Sequence, residues 1–282
     1  MDILVSSEWL SDVFGATDLV ILDASAHLPA AERDPEAEFA SEHIKSARYL
    51  GLPTLKDLGS PVPAALPTAK QFSERLSELG VIATDRVVLY DDSALRTSCR
   101  AYFIFKMFGF ENVAVLDGGL AKWKAEGLPT DNGSANVSSS AYSAAQDDRA
   151  NVRSKADMLA NCETGAEQVV DARDAGRFTA EIEDTVHGLA GGHIPGARNL
   201  HFAQLLRDDG TFRDADELRA AVDASGLDWD RPISASCGSG VTASVVLFAL
   251  ELLGHTNTAL YDGSWGEWGA DPDTPKETGP AR

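Results

Sequence analysis

Basic side chains are scarce in this sequence: 24 Lys and Arg stand against 44 Asp and Glu, a formal net charge of −20. A field of that sign opposes nucleic acid or an anionic membrane as partner. Long apolar runs are missing too, and none approaches the roughly 20 residues that a membrane helix needs. The opening "MDILVSSEWLSDVFG" has no basic stretch leading into an apolar one, so no secretory signal is expected. Cysteine is limited to Cys99, Cys162 and Cys237, an odd number with wide spacings. That excludes a CxxC zinc or redox pair and speaks against a disulfide framework, which makes a reducing cytoplasm the expected compartment. Nothing in the sequence demands a metal or an organic cofactor.

What is present is enough for two ordinary globular cores. The 282 residues are 44% hydrophobic and 24% charged, and at roughly 100–200 residues per domain the length suggests two domains. One pattern runs along the chain twice. "LVILDAS" (19–25) returns as "QVVDAR" (168–173), and "EHIKSARYL" (42–50) as "GHIPGARNL" (192–200). "TDRVVLYD" (84–91) returns as "WDRPISASC" (229–237), and "VLDGGLAKW" (115–123) as "LYDGSWGEW" (260–268). The order is kept and the offsets stay between 145 and 150 residues, the mark of a duplicated domain. The expected boundaries are 1–132 for the first domain and 149–282 for the second. Residues 133–148, rich in Ser, Ala, Asn and Asp, read as an exposed linker. The tail "DPDTPKETGPAR" has three prolines and no apolar run, so it is expected to fray or to wrap the surface.

Within each half, short β-branched runs such as "RVVLY" and "VAVLD" alternate with longer amphipathic stretches. "PTAKQFSERLSELG" reads as a helix closed by Gly80, and "SCRAYFIFKMFG" as another closed by Gly109. This alternation predicts an α/β fold, with a mainly parallel sheet and helices on both faces. Ligands of such sheets bind beyond the carboxyl ends of the strands.

Cys237 occupies that kind of position, between the run "PISAS" and the apolar helix "TASVVLFALELLG". Gly238 and Gly240 allow the chain to turn sharply and bring its amides close to a ligand. A loop bent this way points successive N–H groups at one anion, and the helix start adds its unpaired amides and positive dipole end. The setting favours a thiolate nucleophile, or an anionic group bonded to it. Ser239 and Thr242 can donate further hydrogen bonds to an incoming carboxylate or sulfonate. The competing reading of Cys237 is a small buried apolar filler, the usual fate of a free cysteine. At the equivalent place the first half carries Asp91, within one position, so that half is expected to be catalytically silent. Cys99 lies inside the next helix and reads as core, and Cys162 as a bystander at a helix end. A phosphatase-like cysteine loop would need an arginine six residues after the cysteine; Ala243 stands there, leaving a phosphate dianion poorly neutralised.

Taken together, "HIPGA", "DAR…GRF", "CGSGVT" and "YDGSWGEW" resemble the two-domain rhodanese superfamily across essentially the whole chain. The loop "CGSGVT" is similar to that of 3-mercaptopyruvate sulfurtransferases, whereas thiosulfate-type members carry basic residues where this chain has Gly238 and Ser239. The resemblance implies two tandem rhodanese-like domains, the second catalytic. It further implies that Cys237 takes sulfur from a small anionic donor and passes it, as a persulfide, to cyanide, a thiol or a thioredoxin-like acceptor. The amides of Gly238, Ser239, Gly240, Val241 and Thr242 would hold the persulfide. Arg177, in "GRF", would bind the donor's anionic group, as a fork of donors suits a carboxylate or sulfonate. Where related enzymes place a second arginine this chain has Val186, with His187 beside it, which reads as an exposed loop histidine or, alternatively, as a cationic substitute. Where they place a first-domain aspartate and histidine it has Pro53 and Ala64. The alternative reading is a non-catalytic rhodanese-homology module that docks a protein partner. His43 and His193 are expected to stabilise the fold, and Trp123, Trp265 and Trp268 to anchor the core.

Overall fold

The computed structural model describes residues 1–133 and 137–281, so residues 134–136 of the expected linker lie outside the described residues. The chain divides into two compact units. One comprises residues 1–57, 66–148 and 208–212; the other comprises 58–65, 149–207 and 213–282.

In the first unit the strands are β1 (Leu4–Val5), β2 (Leu19–Asp23), β3 (His43–Ile44), β4 (Arg48–Tyr49), β5 (Arg86–Tyr90), β6 (Val113–Leu116) and β7 (Thr130–Asp131). Its helices are α1 (Ser7–Asp12), α2 (Pro35–Ser41), α3 (Ala69–Glu78), α4 (Thr97–Met107) and α5 (Gly119–Ala125). The main sheet is parallel, in the order β1-β6-β5-β2-β4, and β3 pairs antiparallel with β7. The second unit contains β8 (Val152–Arg153), β9 (Gln168–Asp171), β10 (Arg198–Asn199), β11 (Ile233–Ser236) and β12 (Thr258–Tyr261). Its helices are α6 (Lys155–Thr164), α7 (Ala175–Thr179), α8 (Ala215–Ala224), α9 (Val241–Leu252) and α10 (Ser264–Trp268). Its sheet is also parallel, in the order β8-β12-β11-β9-β10, the same topology strand for strand. The duplication seen in the sequence is therefore a duplication of architecture.

The two expected helix stops hold. Thr68 and Gln71 form a reciprocal capping box at the start of α3, and Gly80 follows its end with φ +66°. Gly109 ends the α4 region with φ +76°. The central strand β11 is buried on both faces, as parallel strands covered by helices are. Residues 242–250 of α9 are buried as well, which explains why its sequence is apolar all round.

The tryptophans anchor both cores. Trp123, Trp265 and Trp268 are at most 1% exposed, and each indole N–H meets a carbonyl: Pro129, Ala190 and Pro275 respectively. His43 stacks on Phe39 and hydrogen-bonds its carbonyl, and His193 does the same with Phe178. The C-terminal segment wraps the second unit, with His193 and Glu277 exchanging backbone hydrogen bonds and Gly279 donating to Thr179. The described part of 133–148 lies along the first unit. The Ser140 amide donates to the Ser77 carbonyl, Ala144 to Ser73 Oγ and Asp148 to the Met107 carbonyl, while Tyr142 is buried.

Candidate active site

Cys237 directly follows β11, at the carboxyl edge of the second sheet. Three residues later Gly240 adopts φ +76° and caps α9. A side chain is disfavoured in that left-handed conformation, so glycine lets the chain pass from strand to helix within one turn. The turn is clamped from below by the start of α10. Ser264 Oγ accepts hydrogen bonds from the amides of both Cys237 and Gly240, each at 3.1 Å, and donates to the Tyr261 carbonyl at 2.8 Å. The amides of Trp265 and Gly266 donate to the carbonyls of Cys237 and Gly238, at 2.9 and 2.8 Å. Each such bond contributes about 1 kcal/mol net. Together they offset the cost of about 1–3 kcal/mol for holding a non-glycine residue, Ser264, at φ +48°.

The Gly240 amide is thus committed to Ser264. Gly238, Ser239, Val241 and Thr242 present amides with no protein acceptor among the described residues. Val241 and Thr242 belong to the first helical turn, whose N–H groups have no intrahelical partner. Ser239 and Val241 are half-buried and Gly238 and Thr242 buried. Cys237 itself is 2% exposed, so its sulfur sits inside the protein rather than on its surface.

Around this loop a charged network converges on one carboxylate. Asp184 is fully buried, and it accepts from Arg173 Nη1 (3.2 Å), Arg177 Nη1 (3.5 Å) and His187 Nδ1 (2.9 Å). Burial works to raise its pKa. The His187 hydrogen bond and the charges of His187, Arg177 and Arg173 outweigh that and bring it down to about 2. Arg173 is itself buried. It pairs with Asp171 at 2.6 Å, donates to the Gly192 carbonyl and lies over the Trp265 ring, 4.6 Å from its centroid. Its role is to pin the loop carrying Asp184 to the sheet edge and to α10.

Arg177 lies on α7, four-fifths buried, with Nε donating to Asp174 Oδ2 at 2.5 Å. Its Nη2 bonds no protein group among the described residues, which leaves one edge of the guanidinium for an anion. His201 stands close by; burial lowers its pKa and the Arg177 charge adds to that, against the pull of Asp174. Val186 is 42% exposed and adds no charge. His187 is different: a Cβ built on Gly238 would lie 2.0 Å from its Cε1 and 2.6 Å from its Nε2. The imidazole is therefore seated on the residue next to Cys237.

Sequence reasoning placed Cys237, its loop and Arg177, and the structure groups them in one unit. It missed Asp184, Arg173 and Ser264 as contributors. Ser264 stood in the quoted "YDGSW" box, but its hydroxyl's two partners lie 24 and 27 residues away. Asp184 sits in an acidic run, "AEIEDT", where nothing distinguishes it from its neighbours. Cys99 is buried, and burial pushes its thiol well above the ordinary range, which leaves it unreactive. Partial burial likewise raises Cys162.

The description "Rhodanese-like domain" matches residues 6–126 and again 154–271. Similar proteins include the 3-mercaptopyruvate sulfurtransferase of Escherichia coli K12, 39% identical over 97% of this chain and 97% of that one. The mouse 3-mercaptopyruvate sulfurtransferase is 36% identical over 94% and 91%. Among solved structures, SseA from Escherichia coli superposes with a TM-score of 0.85 at 36% identity, covering 94% of this chain and 99% of that one. Tum1 from Saccharomyces cerevisiae gives 0.90 at 26% identity, covering 98% and 99%. With the same five-stranded unit built twice and a cysteine loop at the edge of the second sheet, the chain belongs to the rhodanese family, among two-domain members whose full-length relatives are sulfurtransferases.

Proposed function

We propose that this chain moves a sulfane sulfur from 3-mercaptopyruvate, with thiosulfate as second choice, to a thiol or cyanide acceptor through a persulfide on Cys237. The observation that carries the reading is the placement of Cys237 between a buried parallel strand and the open first turn of α9. The loop there is held in shape by Ser264 rather than by a ligand.

Cys237, as thiolate, attacks the donor's sulfur. The bond from that sulfur to the donor skeleton breaks, the desulfurated product leaves, and the second sulfur remains as a terminal anion. The amides of Gly238, Ser239, Val241 and Thr242 supply donors for that anion, and Gly240 supplies the bend. Arg177 holds the donor's carboxylate through its free edge, a charge-assisted bond inside a strongly acidic chain. An acceptor thiolate, small or on a thioredoxin-like protein, then removes the outer sulfur. The neutral loop, without a cation at Gly238 or Ser239, fits a mercaptopyruvate carboxylate bound at a distance from the sulfur better than a compact dianion held at the loop. Free cysteines of this kind fit work in a reducing cytoplasm.

Intact-mass measurement after incubation with each donor tests this reading. A gain of one sulfur on Cys237, removed by reductant, is the expected result. No gain with either donor would leave a partner-docking module as the better description.

A further inference from the structure

We propose that His187 is the proton carrier of the transfer reaction, accepting the donor's thiol proton on Nε2 and returning it to the carbon that sulfur leaves. This rests on the persulfide reading above and adds a catalytic residue to it.

The first support is the ring's orientation. Its Nδ1 lies 2.9 Å from Oδ1 of Asp184, a fully buried carboxylate held ionised by two arginines. An ionised carboxylate only accepts, so Nδ1 carries a hydrogen, and in the neutral form of the ring the lone pair is on Nε2. The segment around it is a closed turn: the amides of His187 and Leu189 both donate to the Asp184 carbonyl, and the Asp184 amide returns to Leu189. The imidazole is therefore fixed in tautomer and in direction.

The second support is where the free edge sits. Nε2 and Cε1 crowd the one face of Gly238 that a side chain would fill, and Cδ2 lies 3.8 Å from a Cβ built on Gly266. The ring is only 19% exposed, so it is not an ordinary solvated loop histidine. It stands between the first residue after the nucleophile and the start of α10. Arg177 shares the same Asp184 oxygen, so the group that binds the donor's anion and the group that moves its proton are oriented by one carboxylate.

The chemistry balances without another reactant. Cys237 forms the S–S bond as the donor's S–C bond breaks, and that electron pair passes to the three-carbon skeleton as an enolate. His187 takes the S–H proton and delivers it to the methylene carbon, which becomes the methyl group of pyruvate. The sulfur is oxidised to the sulfane level and the carbon reduced by the same two electrons. Thiosulfate needs no such step, because sulfite departs with its electron pair and forms no C–H bond.

His187→Ala, assayed in the full chain, tests the proposal. The kcat with 3-mercaptopyruvate should fall about 10²-fold with KM changed less than about threefold, as loss of a general acid–base group does. Added imidazole, which can enter the space left on Gly238, should restore about a tenth or more of the lost rate. The loss with thiosulfate should be at least about tenfold smaller, since proton delivery to carbon is the step removed. An unrescued loss equal for both donors, a rise in KM alone, or no change would each overturn the role. If wild-type Cys237 gained no sulfur from either donor, the underlying persulfide reading would fall instead, and this one with it.

Discussion

The two units share a skeleton and differ in the residues around the cysteine loop. In both, the residue after the central strand accepts an amide from the helix that follows the last strand of the parallel sheet, β6 or β12: Leu120 donates to Asp91, as Trp265 donates to Cys237. In both, a phenylalanine stacks on the histidine of the repeated box, so Phe39 corresponds to Phe178. Glu38 then stands where the second unit has Arg177, Ser25 where it has Arg173, and Gly119 where it has Ser264. Asp91 stands where the second unit has Cys237, and its carboxylate is consumed locally by the amides of Ser93 and Ser98. The shared hydrogen bonds are those the fold requires. The substitutions fall where a ligand would touch.

The sharpest way to test this contrast is to remove the nucleophile. Cys237→Ser should lower turnover by at least about 10³-fold, since a neutral hydroxyl does not replace a soft thiolate. Thermal unfolding should move little. Asp91→Cys placed in that background should not restore sulfur loading, because Glu38, held by Arg33 and His27, is an acceptor where the proposed donor site has the guanidinium of Arg177. Loading at position 91, detected by intact mass, would show that the first unit lacks only its cysteine.

Next in size is Asp184→Asn, which leaves Arg173 buried with half its compensation. Breaking a buried pair of this kind costs about 3–5 kcal/mol, read by urea unfolding at pH 7. The pH dependence is specific. The folded pKa of Asp184 is about 2, below its ordinary value of 3.8, so its stabilisation is present above pH 4 and is lost as pH falls toward 2. That part is about 2 kcal/mol. The gap between wild type and variant should therefore narrow by about that amount between pH 4 and pH 2. Asp23, the counterpart of Asp171 in the first unit, forms no ion pair with an arginine among the described residues, and burial raises its pKa. Its contribution runs the other way, gaining as pH falls through the raised value. An unchanged gap between wild type and Asp184→Asn across that range would refute the charge-hub account.

Arg177→Ala should weaken donor binding by about 1.5–3 kcal/mol, the value of a charge-assisted hydrogen bond. Steady-state kinetics would register this as KM rising by about tenfold or more with kcat less affected. A change in kcat alone would assign Arg177 to orienting Asp184 rather than to holding the donor.

How much of this was legible in the sequence follows from the range of the interactions. The doubled fold was, because each strand and helix carries its own apolar pattern and glycine stop, and four boxes recur in order. The Cys237 loop was, because nucleophile, glycines and helix are contiguous. Arg177 entered through the motif around it, not through any visible partner. The Asp184 network was hidden, since Arg173, Arg177 and His187 meet only after α7 and the turn at 184–189 have folded back on the sheet edge. The extent of contact between residues 137–148 and the first unit was hidden for the same reason: amides of Ser140 and Ala144 find acceptors on α3, a match that composition does not encode.

The smallest effect separates architecture from chemistry most cleanly. Ser264 holds φ +48°, where Gly119 holds φ +58° at the same place in the first unit. Ser264→Gly therefore fits the backbone and relieves about 1 kcal/mol of strain, but removes a hydroxyl that receives two loop amides. The two terms nearly cancel, so stability should change by less than about 1 kcal/mol. Persulfide formation should nonetheless slow, by about tenfold, because the amides of Cys237 and Gly240 lose their common acceptor and the loop's aim on the incoming sulfur loosens. Single-turnover loading beside a melting curve gives both numbers. If rate and stability fell together, Ser264 would be a fold residue only, and the glycine of the first unit would mark nothing about its silence. If the rate fell alone, a single hydroxyl would account for part of what sets the proposed catalytic half apart from its copy.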